Sequence, residues 1–158
     1  MSNHTAAPFV VVPYHPAHLA EFVKGDRTLA ELIKMPRAKL KALAAKGYQL
    51  LAADQVDRAV EFFRGLVALD PYSAWNHTAL GVALLRSDAK ADAEKHLRRA
   101  LVINPRAVDT RVTLAELLLG SKGREAEGVA ELEHVVRENI GSNDSLVVRA
   151  RMLLSTRK

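Results

Sequence analysis

The 158-residue chain contains no cysteine, which excludes thiolate metal sites, thiol nucleophiles and disulfides before any pattern is sought. The remaining candidates for chemistry are imidazoles and carboxylates. His15 and His18 have a spacing that could place both on one metal if a helix carried them, yet prolines flank them and no carboxylate pair lies nearby. They read as imidazoles without a metal. His77, His96 and His134 fall on separate segments, so no ligand is assigned among them. Glu125/Glu127 and Glu131/Glu133 are paired acids, but they lie on helical faces among basic residues, as on a solvated helix. No glycine-rich phosphate loop, Ser-His-Asp arrangement or desolvated carboxylate pair stands out. The expectation is a protein that is not an enzyme, with no catalytic residue, metal or cofactor.

The totals narrow the partners further. Hydrophobic residues make up 49% and charged residues 26%, ordinary for a soluble domain, and the apolar runs fall far short of the roughly 18 residues that span a bilayer. The N-terminus, MSNHTAAPFVVVPYHPAH, has no basic leader and does not read as a secretory signal, so a cytoplasmic protein without membrane contact is expected. A formal charge of +5 would favour an acidic partner, but the excess is dispersed. Lys95, Arg98 and Arg99 form a small basic cluster without interleaved aromatics, and aromatics total only 5%, so nucleic acid is not the expected partner.

Positioning elements emerge from a repeated phrase. FFRGLVALDPYSAW stops a helical pattern at Asp70-Pro71, and HLRRALVINPRAV stops another at Asn104-Pro105. In register, Gly47 falls on Gly81, Ala59 on Ala93, Leu69 on Ile103 and Pro71 on Pro105, each 34 residues apart. A third copy begins at Val108: Leu114 and Ala115 follow Leu80 and Gly81, and Gly128 follows Ala93 after one extra residue near Lys122-Gly123. Small residues recur where two antiparallel helices would cross closely, at Gly47, Gly81 and Ala115 and at Ala59, Ala93 and Gly128. Larger apolar residues recur around them at helical spacing, and the prolines end the second helix of each of the first two units. Leu19, Phe22, Val23 and then Leu29, Leu32, Ile33 predict two short amphipathic helices before the repeats. DSLVVRARMLLSTRK predicts a final helix with Leu146, Val147, Ala150, Leu153 and Leu154 inward and Arg149, Arg151, Arg157 and Lys158 in water.

This pattern resembles the tetratricopeptide repeat, whose period is 34. The resemblance implies an all-α fold: three helix-turn-helix repeats in a right-handed superhelix, with N-terminal helices and a C-terminal capping helix. The expected organisation is a flexible segment over 1–16, a helical extension over 17–39, repeats over 40–73, 74–107 and 108–140, and the cap over 141–158. Such stacks hold peptides on the concave face of the first helices. Carried over by repeat position, that face comprises Lys41, Ala44, Tyr48 and Leu51; Trp75, Thr78, Val82 and Leu85, with Arg86 beside them; and Asp109, Val112, Glu116 and Leu119. Tyr48 and Trp75 have two readings, as packing between helices or as anchors for a ligand. The basic clamp with which some of these stacks hold acidic C-terminal tails is missing, since its equivalents are Ala44, Tyr48, Ala79, Asp109 and Thr113.

A narrower resemblance follows from LAAKGYQLLAADQVDRAVEFFRGLVALDPYSAW, LGVALL and LAELLLGSKG, with the phrase Phe63, Leu66, Leu69, Asp70, Pro71 and the phrase Ala115, Glu116, Leu118. These look like the class II, or translocator, chaperones of bacterial type III secretion. The resemblance implies a chaperone or adaptor that holds a short extended segment of a protein client in an apolar groove. It also implies a possible homodimer through residues 18–34, which could instead cover part of the groove. The basic charge departs from the family's usual acidity. A generic bacterial repeat scaffold, or more remotely a basic nucleic-acid accessory protein, are the alternatives.

Overall fold

A computed structural model describes residues 16–156. Among these the chain is all-helical. The predicted segment 1–16 lies, apart from Pro16, outside the described residues, as do Arg157 and Lys158. Helix α1 (Pro16–Lys24) ends at Gly25, whose φ of +85° permits the reversal toward α2. The single turn of α2 (Leu29–Leu32) begins with a capping box, in which Glu31 N–H donates to Thr28 Oγ1 at 3.2 Å and Thr28 N–H donates to Glu31 Oε2 at 2.9 Å. Three antiparallel pairs follow: α3 (Arg37–Ala52) with α4 (Val56–Leu69), α5 (Ala74–Arg86) with α6 (Lys90–Ile103), and α7 (Val108–Leu119) with α8 (Glu125–Glu138). Helix α9 (Ser145–Ser155) packs on α7 and α8.

The small residues are where the helices touch. A Cβ at Gly47 would lie 2.6 Å from the ring of Phe63, and one at Gly81 would lie 2.8 Å from Leu97. At Gly128 it would lie 2.8 Å from the Ala115 carbonyl oxygen, a backbone atom that cannot swing aside. Phe63, Leu97 and Leu132 are fully buried, and Ala59, Ala93 and Ala115 are sealed beside them. Close approach of paired backbones therefore lets large side chains fill the space around each crossing.

The repeat extends to the turns. Asp54 and Asp88 both have positive φ, at 56° and 59°, and the amides on either side return to the preceding helix in the same pattern. In the third unit this position passes to Gly123, one residue later, where the insertion was read. At the other ends, Asp70 Oδ1 accepts from Tyr72 N–H at 3.1 Å and Asn104 Oδ1 from Arg106 N–H at 3.2 Å. The shared ending is thus an Asx turn closed over a proline that cannot extend the helix.

One expectation for α9 is corrected. Val147 and Ala150 are buried and Leu146, Leu153 and Leu154 pack beside them, and Arg149 faces water as expected, but Arg151 is engaged by the fold. Arg149 pairs with Glu116, and Arg151 donates to the carbonyls of Ser142 at 2.9 Å and Asn139 at 3.3 Å. Carbonyls left over near the end of α8 attract a cation, which outweighs solvation of a side chain able to reach them.

Candidate functional site

Between α2, α3 and the start of α5 lies a cavity of about 780 Å³. Behind two of its lining residues, Tyr48 and Trp75, stands Phe63, fully buried against Gly47. Tyr48 packs edge-on to Phe63 with ring centroids 5.4 Å apart, Trp75 packs edge-on to Tyr48 at 5.4 Å, and Phe63 and Trp75 stand at 6.3 Å. Yet Tyr48 remains 42% exposed and Trp75 41%. Both sequence readings therefore hold in part: each ring packs between helices and still offers a face to the cavity. Burial, then the field of Asp109, raises the Tyr48 pKa, which keeps its hydroxyl protonated and able to donate.

The wall is held by the chain's own polar groups. Ser73 caps α5 by accepting from Asn76 N–H, and Asn76 Nδ2 donates to the carbonyls of Leu66 at 3.0 Å and Asp70 at 3.2 Å. These bonds fasten the start of α5, and hence Trp75, to the end of α4. Met35, Leu40, Ala44 and Ala45 supply aliphatic surface, and Thr28, Glu31, Arg37, Lys41 and Asp70 add polar or charged groups to the lining. Such a mixture, mostly apolar with a few polar groups, suits a peptide segment with hydrophobic side chains.

Of the thirteen expected lining residues, the structure gathers Lys41, Ala44, Tyr48 and Trp75 around this cavity. Several others are committed elsewhere. Leu51, Val112 and Leu119 are buried in the core. Thr78 is buried with its hydroxyl 2.7 Å from that of Thr110, joining α5 to α7, and it also donates to Ala74 O. Arg86 donates to the Leu51 carbonyl at 2.8 Å and pairs with Asp54 at 3.2 Å, neutralising the C-terminal end of α3. Glu116 pairs with Arg149. Val82 and Leu85 are half-buried, and Asp109 is exposed. The apolar surface thus departs from the expected even lining of three repeats and concentrates at the first. Repeat position alone does not say which neighbour will cover a side chain.

Sequence reading expected that residues 18–34 could cover part of the groove but named no lining residue from α2. Its signal was the pattern Thr28-x-x-Glu31, which marks a helix start and places Ala30 and Glu31 toward the cavity. Sequence reading also missed a part-buried pair: His77 Nδ1 lies 2.9 Å from His96 Nδ1, with the rings stacked at 5.2 Å. The Pro71 carbonyl, 3.1 Å from His77 Nε2, can only accept, so Nε2 carries a proton and in the neutral pair His77 Nδ1 accepts from His96. Burial lowers both pKa values, aided in His96 by the field of His77. No linear motif signals a contact between helices 19 residues apart. Among the described residues, no group of three or more His, Cys, Asp or Glu could hold a metal.

The sequence matches no family model and no curated protein. Its fold matches solved structures over most of their length. The type III secretion translocator chaperone SycD of Yersinia enterocolitica aligns with a TM-score of 0.76 at 20% identity, covering 82% of this chain and 98% of that one. A type III secretion complex from Aeromonas hydrophila aligns with a TM-score of 0.76 at 23% identity, over 90% and 95% of the two chains. SycD in complex with a peptide of the translocator YopD aligns with a TM-score of 0.69 at 20% identity, over 75% and 92%. The chain has the tetratricopeptide-like fold of these translocator chaperones.

Proposed function

We propose that the chain is a non-enzymatic, cytoplasmic chaperone or adaptor that holds a short extended segment of a protein client, most like a type III secretion translocator chaperone. The observation that carries this reading is the cavity at the first repeat, where Tyr48 and Trp75 are fixed in place but left half-open. One solved structure of this fold is a complex with a peptide of a translocator, which supports peptide binding here. Two or three apolar anchors at about 1.5–3 kcal/mol each, less the ordering of a flexible ligand, give roughly micromolar affinity. Affinity of that order lets a client be kept covered and then released.

Residues 18–34 support two further expectations. Leu19, Phe22 and Val23 are exposed on α1, a surface suited to self-association, while Ala30 and Glu31 already wall the cavity. Titrating translocator-derived peptides against the chain tests the main reading. Trp75, the sole tryptophan, should change its emission with saturable heat of binding, and absence of both would refute it. A scaffold for a larger assembly would instead ignore these peptides. Nucleic-acid binding, if present, should weaken steeply between roughly 50 and 200 mM salt. Two of the three cations of the cluster proposed for it are already paired, Lys95 with Asp92 and Arg98 with Glu94 and Glu127.

A further inference from the structure

The positive excess, expected to be dispersed, is local. Residues 24–46 hold seven Lys or Arg and only two Asp or Glu, a net +5 that equals the excess of the whole chain, and the rest of the sequence balances. Within that stretch α3 carries Arg37, Lys39, Lys41 and Lys46 and no acid. Helices α4, α6, α7 and α8 each place an acid in the first turn, and the Ser73 hydroxyl caps α5, as the positive end of a helix favours. Helix α3 has neither: Pro36 precedes it without a side-chain cap, and Arg37 and Lys39 stand in its first turn.

Arg37 and Lys41 both line the α2–α3–α5 cavity, and on α3 they share a face with Ala44 and Tyr48, which line it too. Arg86, Arg98, Arg111 and Arg124 are each held by a carboxylate, whereas Arg37 and Lys41 are exposed and pair with no acid among the described residues. The two acids of the lining are already in use, since Glu31 accepts from Thr28 N–H at 2.9 Å and Asp70 from Tyr72 N–H at 3.1 Å. We propose that the client segment held at this cavity carries an aspartate or glutamate beside its apolar anchor, and that Arg37 and Lys41 select it. This deepens the proposed function and rests on it. The carboxylate would lie at the bare N-terminal end of α3, where it offsets both the like charges and the dipole.

The geometry also sets a spacing. Along the axis of α3, Lys41 lies about 10 Å and Arg37 about 16 Å from Tyr48. An extended chain advances about 3.3 Å per residue, so the acid stands about three to five positions from the side chain that meets Tyr48 and Trp75. Met35, Leu40, Ala44 and Ala45 surround the cations with aliphatic surface, which suits apolar side chains rather than stacked bases and favours a peptide over a nucleic acid.

The test uses a translocator-derived peptide, amidated at its C-terminus, in three forms with Asp, Asn or Lys at that spacing from its apolar anchor. Followed by Trp75 emission and calorimetry at about 50 mM salt, the Asp form should bind the full chain about 5- to 10-fold tighter than the Asn form, and the Lys form more weakly than either. The Asp advantage should shrink to about twofold or less at about 500 mM salt. In R37Q/K41Q the Asp and Asn forms should bind alike, and the melting temperature should not fall, because unpaired like charges leave the positive end of α3. Equal affinity of the full chain for the Asp and Asn forms, or an Asp preference that survives in R37Q/K41Q, would overturn the proposal while leaving peptide binding in place. Tighter binding of a single-stranded oligonucleotide than of the Asp form, lost in R37Q/K41Q, would overturn it in favour of a nucleic acid. If none of the three forms moves Trp75 emission or gives heat, the client reading falls and the proposal with it.

Discussion

The two ends of the helical stack share one template and have opposite fates. At the third repeat, α9 lays Val147 and Ala150 against the hydrophobic cluster that contains Val112 and Leu119, and Arg149 reaches Glu116, so this face of α7 is covered by the chain itself. At the first repeat the corresponding cover is α2, a single turn that buries Ala30 and Leu32 but is too short to fill the space, and a cavity of about 780 Å³ remains. Residues matched by repeat position thus become core at one end and cavity wall at the other. The difference lies in the length of the flanking helix rather than in the repeats.

The largest effect that tests this contrast is Leu119→Ala. Truncating a buried leucine should cost about 2–5 kcal/mol of stability, while peptide affinity of the folded fraction stays near wild type. Paired denaturation and binding measurements check it, and a large loss of affinity at unchanged stability would place Leu119 in the binding surface instead. Trp75→Ala should do the reverse. Loss of a half-exposed anchor should weaken peptide binding by about 2 kcal/mol, roughly 30-fold, with a smaller change in melting. Equal binding by this variant, measured calorimetrically, would move the site away from the first repeat.

Ala93→Leu probes the middle of the stack, where the comparison expects neither end's behaviour to dominate. Overpacking a fully buried helix crossing should cost about 1–3 kcal/mol. An unchanged melting temperature would break the proposed helix register.

The smallest expected effect is a pH slope from His77 and His96. Their folded pKa values lie below the ordinary histidine value near 6.5, so at mildly acid pH the unfolded chain binds more protons than the folded one. The pair's contribution is fully present above about pH 6.5 and is lost as pH falls through the folded values. Double protonation would also set two N–H donors against each other across 2.9 Å. Asp70 partly offsets this at His77 and Asp92 at His96, whereas Arg99 disfavours charge on His77 and Arg64 and Lys95 disfavour it on His96. Denaturant midpoints should therefore fall between pH 7 and the acid side of that range, and H77Q/H96Q should flatten the slope. A second titration needs separating from it: Arg124 holds the Glu94 carboxyl down at about 2, so that pair breaks only in much stronger acid.

Much of the fold was legible because repeated steric demands leave repeated residues. Gly47, Gly81 and Gly128 are small where a Cβ would strike a ring, a leucine or a backbone oxygen, and Pro71 and Pro105 follow the same turn. The site was less legible. Lys41, Ala44, Tyr48 and Trp75 were named from repeat position and meet at one cavity, but Leu51, Thr78, Val112 and Leu119 were named by the same rule and are buried. Thr28, Ala30 and Glu31 were not singled out, although residues 18–34 were expected as a possible cover of the groove, because α2 lies outside the repeats and repeat position assigns it no lining residue.

What the amino-acid order determined on its own was therefore local and periodic: where helices start and stop, which face is apolar, and how closely neighbours in a pair approach. Those properties depend on interactions within about 34 residues, so they are written wherever the repeat is written. Tertiary structure alone decided which of those apolar faces stays open, which cations cap carbonyls instead of facing water, and that His77 would meet His96. Each depends on a partner from another element, and a side chain's exposure is set by that partner's length and position.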